Sequence, residues 1–87
     1  MADALIKHPP HALNALSEQV FEVLANYTAF PWPIMMSQCK RCRVDPVALT
    51  PATLKEAIPH LSSSVARFTS PQKGEQVRID LEALAGE

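Results

Sequence analysis

The chain has 87 residues, 47% of them hydrophobic, and a formal net charge of −1. That length predicts a single domain, near the lower limit for a core that has no staples, and that composition excludes disorder of the whole chain. No apolar run approaches the roughly 18 residues of a membrane span, and "MADALIKHPPHAL" lacks the charged and apolar regions of a signal peptide, so a cytoplasmic protein with no membrane role is expected.

The charge is unevenly spread. Residues 1–37 carry Lys7 against Asp3, Glu18 and Glu22, and residues 79–87 carry only Asp80, Glu82 and Glu87. Between them stand Lys40, Arg41, Arg43, Lys55, Arg67, Lys73 and Arg78 against Asp45, Glu56 and Glu75. A basic middle therefore lies between acidic ends, and only a local field would favour a polyanion. Eight prolines against two glycines divide the chain into short pieces, since each proline lacks an N–H and restricts its predecessor.

Residues 10–27 predict the first helix. Leu13, Leu16, Val20, Val23, Leu24 and Tyr27 recur at spacings of three and four, with Pro9 and Pro10 at the entrance. The segment "TAFPWPIMM" turns at its prolines, and a short helix is expected over about 33–42. Asp45–Pro46 favours a turn. A third helix is expected over about 51–62, with Thr50 as N-cap and Pro51 at the first helical position. Pro59 predicts a kink or restart within it, and "SSS" at 62–64 predicts its end.

Residues 65–69 and 76–81 alternate apolar and polar, with Val77, Ile79 and Leu81 on one face. "SPQKGE" lies between them, with Pro71 and Gly74 as turn residues, so a β-hairpin is expected and "EALAGE" should fray. The fold class expected is α+β: two to three helices followed by a C-terminal hairpin.

The stretch "LTPATLKEAIPHL" followed by "SSSVARFTSPQKGEQVRIDL" resembles a winged helix-turn-helix domain over about residues 49–82. That family includes many small bacterial transcription regulators. The resemblance implies that Thr50, Thr53 and Lys55 face base edges and phosphates from a helix N-terminus. It also implies that Lys73 tips a wing flanked by Arg67 and Arg78, and that Lys40, Arg41 and Arg43 meet the nucleic-acid backbone before the capped helix.

Cys39 and Cys42, in "SQCKRCR", have the spacing of half a zinc knuckle. The other half is missing, because His60 is the only downstream histidine and His8 and His11 lie far upstream, so no metal site or cofactor is predicted. If exposed, the two thiols would be made reactive by the neighbouring Lys40, Arg41 and Arg43. No nucleophile stands with a base and oxyanion framework, and no Gly-rich phosphate loop exists, so catalysis is not expected. Trp32, Met35 and Met36 form an apolar cluster with two readings, a plug under the first helix or an anchor for a protein partner. The first helix also offers a face for a homodimer.

Two functions follow. The leading expectation is a DNA-binding transcriptional regulator. The alternative is a compact protein-interaction module, such as a phage- or plasmid-type inhibitor or an adaptor subunit, that uses Trp32, Met35 and Met36.

Overall fold

Three helices of this chain begin on a proline, and that habit explains most of its architecture. The structure, a computed structural model, describes residues 13–86. It contains α1 (Ala15–Tyr27), α2 (Pro31–Arg41), α3 (Pro51–Phe68) and α4 (Pro71–Leu84). Pro31, Pro51 and Pro71 each occupy the first helical position, where the N–H has no intrahelical partner and its loss costs nothing.

Three starts carry side-chain caps. The Asn14 side chain accepts from the Ser17 N–H at 2.8 Å, and Ser70 Oγ accepts from the Lys73 N–H at 3.2 Å. At α3 the cap is reciprocal: Thr50 Oγ1 accepts from the Thr53 N–H at 3.2 Å, while Thr53 Oγ1 accepts from the Thr50 N–H at 2.9 Å. α2 starts at Phe30 without a side-chain cap.

The expected α+β fold is overturned, because the described residues contain helices and no strand. Residues 65–68 are the last turn of α3, and residues 76–81 lie inside α4. Val77, Ile79 and Leu81 fit an alternating pattern, but α4 buries Gly74, Val77 and Leu81, at spacings of three and four. Ile79 is 46% exposed, which identifies the helical period as the one that governs packing. Ser70–Pro71 repeats the cap-and-proline start of Thr50–Pro51, so it opens a helix where a turn was expected.

α3 is longer than its sequence suggests. Pro59 does not restart it and the serines at 62–64 do not end it. Pro59 lies on the exposed side, and the turns flanking it bury Leu54, Ile58, Leu61 and Val65, which holds the helix through the interruption. Ser64 is buried, and Ser62 Oγ donates back to the Pro59 carbonyl at 3.3 Å.

α1 ends at Tyr27 as expected but starts at Ala15; the earlier part of the expected helix, residues 10–12, lies outside the described residues. The expected short helix at 33–42 is α2, shifted to Pro31–Arg41.

α4 lies along α3 at close range. A Cβ built on Gly74 would come within 2.5 Å of Ala66 Cβ and 2.8 Å of the Ser62 carbonyl oxygen. Glycine here serves close approach between helices, not a turn. The core is aliphatic, built from Val20 and Leu24 of α1, Met35 of α2, Leu54, Leu61 and Val65 of α3, and Val77 and Leu81 of α4, with Trp32 as its aromatic member.

Polar bonds tie the start of α1 to the loop before α3. The Asn14 N–H donates to the Val47 carbonyl at 3.0 Å, and Asn14 Nδ2 donates to the Leu49 carbonyl at 2.9 Å. The Leu49 N–H donates to the fully buried Ser17 Oγ at 3.0 Å.

Candidate functional site: an apolar groove and its basic flank

"SQCKRCR" forms the last turn of α2 and its cap. Arg43 has φ 59, the left-handed conformation more often given to glycine. Its N–H reaches the Lys40 carbonyl at 3.1 Å, and the Val44 N–H reaches the Cys39 carbonyl at 2.8 Å. These two bonds make a Schellman cap, and Val44 is buried beneath it.

The cysteines face inward from this turn. Cys39 is fully buried and Cys42 half-buried. Burial pushes the Cys39 thiol up to about 12, reinforced by Cys42 and Asp45. Burial raises Cys42 as well. The exposure on which thiol reactivity depended is therefore absent at Cys39 and reduced at Cys42, and burial is the largest influence on both thiols. Among the described residues no three His, Cys, Asp or Glu side chains converge as a metal site requires. His60 sits on the exposed side of α3, and His8 and His11 lie outside the described residues.

The residues assigned to nucleic acid by the winged-helix resemblance fall on α2, α3 and α4 and their caps. The Thr50 and Thr53 hydroxyls are engaged in their own cap. Arg78 lies within α4, where its guanidinium is paired with Glu75 and reaches both Glu82 carboxylate oxygens at 2.9 Å. These two carboxylates push the Arg78 pKa further up, and Arg78 in turn holds Glu75 below its ordinary range. Lys55 lines a shallow hollow shared with Arg78 and Glu82. Lys73 is in the first turn of α4 and tips no wing. Lys40, Arg41 and Arg43 are exposed at the end of α2, and Arg67 is exposed in the last turn of α3.

Arg41 and Arg67 come together. With Gln38, His60, Ser63 and Ser64 they line a hollow of about 250 Å³ between α2 and α3.

The partner cluster divides. Trp32 is 3% exposed and Met35 fully buried, so both plug the core, whereas Met36 is 43% exposed. Met36 belongs to a different constellation, an open groove of about 780 Å³ at the end of the molecule where α1 stops, α2 starts and α3 ends. Phe30, 52% exposed, and Phe68, 69% exposed, line it together with Pro33, Ile34 and Tyr27. None of its lining residues carries a formal charge at neutral pH. At its edge Tyr27 Oη donates to Asp80 Oδ2 at 2.9 Å, which raises the phenol's pKa and ties α1 to α4.

Phe30 and Phe68 did not emerge from the sequence as interface residues. Phe68 continues the stripe Leu61–Val65 by three, a spacing that predicts burial, yet it stands where no other helix covers it. An aromatic residue one turn beyond the last buried position of a capped helix is the signal that was present.

No helix among the described residues is long and apolar enough to cross a membrane. Compared with family models, curated proteins and solved structures, the chain matches none.

Proposed function

We propose that the protein is a small interaction module that acts by seating apolar side chains of a protein partner in the groove formed by Phe30, Pro33, Ile34, Met36 and Phe68. The observation that carries this reading is the exposure of Phe30, Met36 and Phe68 on one uncharged surface. Leaving large apolar groups in water forgoes about 1.5–3 kcal/mol each relative to full burial, and a contiguous cluster of them marks an interaction site more often than a scattered few. The volume of about 780 Å³ is that of a cleft that takes side chains or a small ligand. Aromatic residues supply binding energy at low entropic cost, and a methionine adapts to the shape it meets.

The nucleic-acid reading loses its wing, since that segment is helical. Arg78 is neutralised by its own helix, and the Thr50 and Thr53 hydroxyls are held in their own cap. Duplex DNA accordingly serves as the competing ligand in the test.

A photo-cross-linking residue placed at position 30, 36 or 68 should form adducts with a protein partner in the native cells. The same residue at position 19 or 22, on the exposed side of α1, should not. Equal adducts from both faces would remove the groove from the function. Duplex DNA retained at low salt, with affinity falling steeply as salt rises, would restore the regulator reading.

A further inference from the structure

The apolar groove is bordered by Ser37 on α2 and by Phe68 on α3. The next residues along the same two helices, Gln38 and Arg67, line the hollow that holds Arg41 and His60. Ile34 and Ser37 of the groove and Gln38 and Arg41 of the hollow follow one another at spacings of three and four along one face of α2, so the two depressions succeed each other as an apolar and a basic part of one trough-like face. No carboxylate among the described residues lines either part. Among the described residues neither Arg41 nor Arg67 has an ion-pair partner. The contrast with Arg78 is direct, because that arginine is gripped by two glutamates of its own helix. Among the described residues, the basic end of the trough meets no carboxylate of its own.

Resting on the interaction reading above, we infer that the groove's partner is an acidic peptide segment, with an apolar anchor seated among Phe30, Met36 and Phe68 and a carboxylate paired with Arg41 and Arg67. The trough runs along α2 from Pro33 to Arg41, about 12 Å at a helical rise of about 1.5 Å per residue. An extended peptide covers that length in roughly three to four residues at about 3.3 Å each, and a helix covers it in about two turns. The anchor and the acidic residue of the partner are therefore spaced by one of those two intervals. A nucleic-acid strand fits less well, since its charge recurs at every nucleotide while half of this trough is uncharged. The two arginines supply orientation and discrimination, and the apolar end supplies most of the affinity.

The experiment is selection of a displayed library of 12-residue peptides on the full chain, repeated on variants. Enriched peptides should carry an aromatic or aliphatic anchor followed or preceded by Asp or Glu at the spacing above. The double variant Arg41→Glu, Arg67→Glu should bind a selected acidic peptide roughly tenfold more weakly. Selection on that variant should in turn enrich Lys or Arg at the same spacing. Phe68→Ser, and separately Met36→Ser, should each reduce enrichment of every class. All four positions are exposed, and circular dichroism checks that each variant keeps its helices.

Apolar peptides that show no acidic preference, or that bind the arginine variant equally well, overturn this inference and leave the interaction reading standing. Absence of enrichment, or enrichment that ignores Phe68→Ser, overturns both. Binding to vesicles of anionic lipid that is lost in the arginine variant, with no peptide selected, would move the site to a membrane surface.

Discussion

The two ends of this small bundle are finished in opposite ways. At the end where α1 and α3 begin, Asn14 and Ser17 bond the loop at 47–49, and Thr50 and Thr53 close the helix start on each other. Every polar group named there has a partner within the chain. At the end where α1 and α3 finish, Phe30, Met36 and Phe68 stand partly in water. Side chains are spent on internal closure at one end and left available at the other. A chain of this size has few side chains to spare, so leaving three large apolar ones uncovered at one end is a concentrated concession.

The first way to break this comparison is to show that the open end is merely frayed. Gly74 argues otherwise, since its backbone lies against Ser62 and Ala66 near the end of α3. Gly74→Val should destabilise by about 3 kcal/mol or more. Gly74→Ala should cost about 2 kcal/mol once its better helix propensity is counted. Urea midpoints measure both, and an alanine variant as stable as the parent would mean that the two helices are not in close contact there.

The closed end should respond next. Ser17→Ala removes the acceptor for the buried Leu49 N–H and should cost about 2 kcal/mol, mostly from the donor left unpaired. A loss confined to a few tenths would show that the loop at 47–49 finds another partner.

Arg43 sharpens the contrast between charge and backbone. It holds a left-handed conformation that glycine adopts without cost, so Arg43→Gly should raise stability by about 1 kcal/mol in the same denaturation assay. Destabilisation would mean that the Arg43 side chain does more than cap.

Cys39 adds a pH dependence. Its folded pKa of about 12 lies above the ordinary thiol value of 9.0, so the native state holds the proton more firmly than the unfolded chain. Its contribution is complete below pH 9, and stability falls as pH rises from there toward about 12. Cys39→Ala should lack that alkaline component, and a thiol reagent should reach Cys39 only after denaturation.

The smallest change in stability belongs to the open end. Phe68→Ser and Met36→Ser should each shift stability by no more than about 0.5 kcal/mol while removing partner binding. A large loss from either would return that residue to the core and close the comparison.

How far the sequence foretold this depends on which signals were local. The cap and proline at Thr50–Pro51 announce α3, and the stripe through Val20 and Leu24 announces α1. Ser70–Pro71 has the same form, but Gly74 and three alternating apolar residues favoured a hairpin over it. The reason for Gly74 is tertiary, since only the packed α3 shows why a side chain is excluded there. Trp32, Met35 and Met36 were legible as one apolar cluster, grouped by adjacency, with a core plug and a partner anchor both open. On a helix neighbouring residues point in different directions, and Met36 turns outward to meet Phe30 and Phe68. Helical periodicity told which residues suit a core but not where the neighbouring helices stop, and the groove lies where they stop.

Trp32, the chain's one tryptophan, sits in the core between Pro31 and Pro33, and Pro33 lines the groove. The molecule therefore carries its own optical probe. Its indole emission should shift to longer wavelength on unfolding, and smaller changes in intensity should accompany occupation of the adjoining surface, so stability and binding can be followed from one unlabelled chromophore.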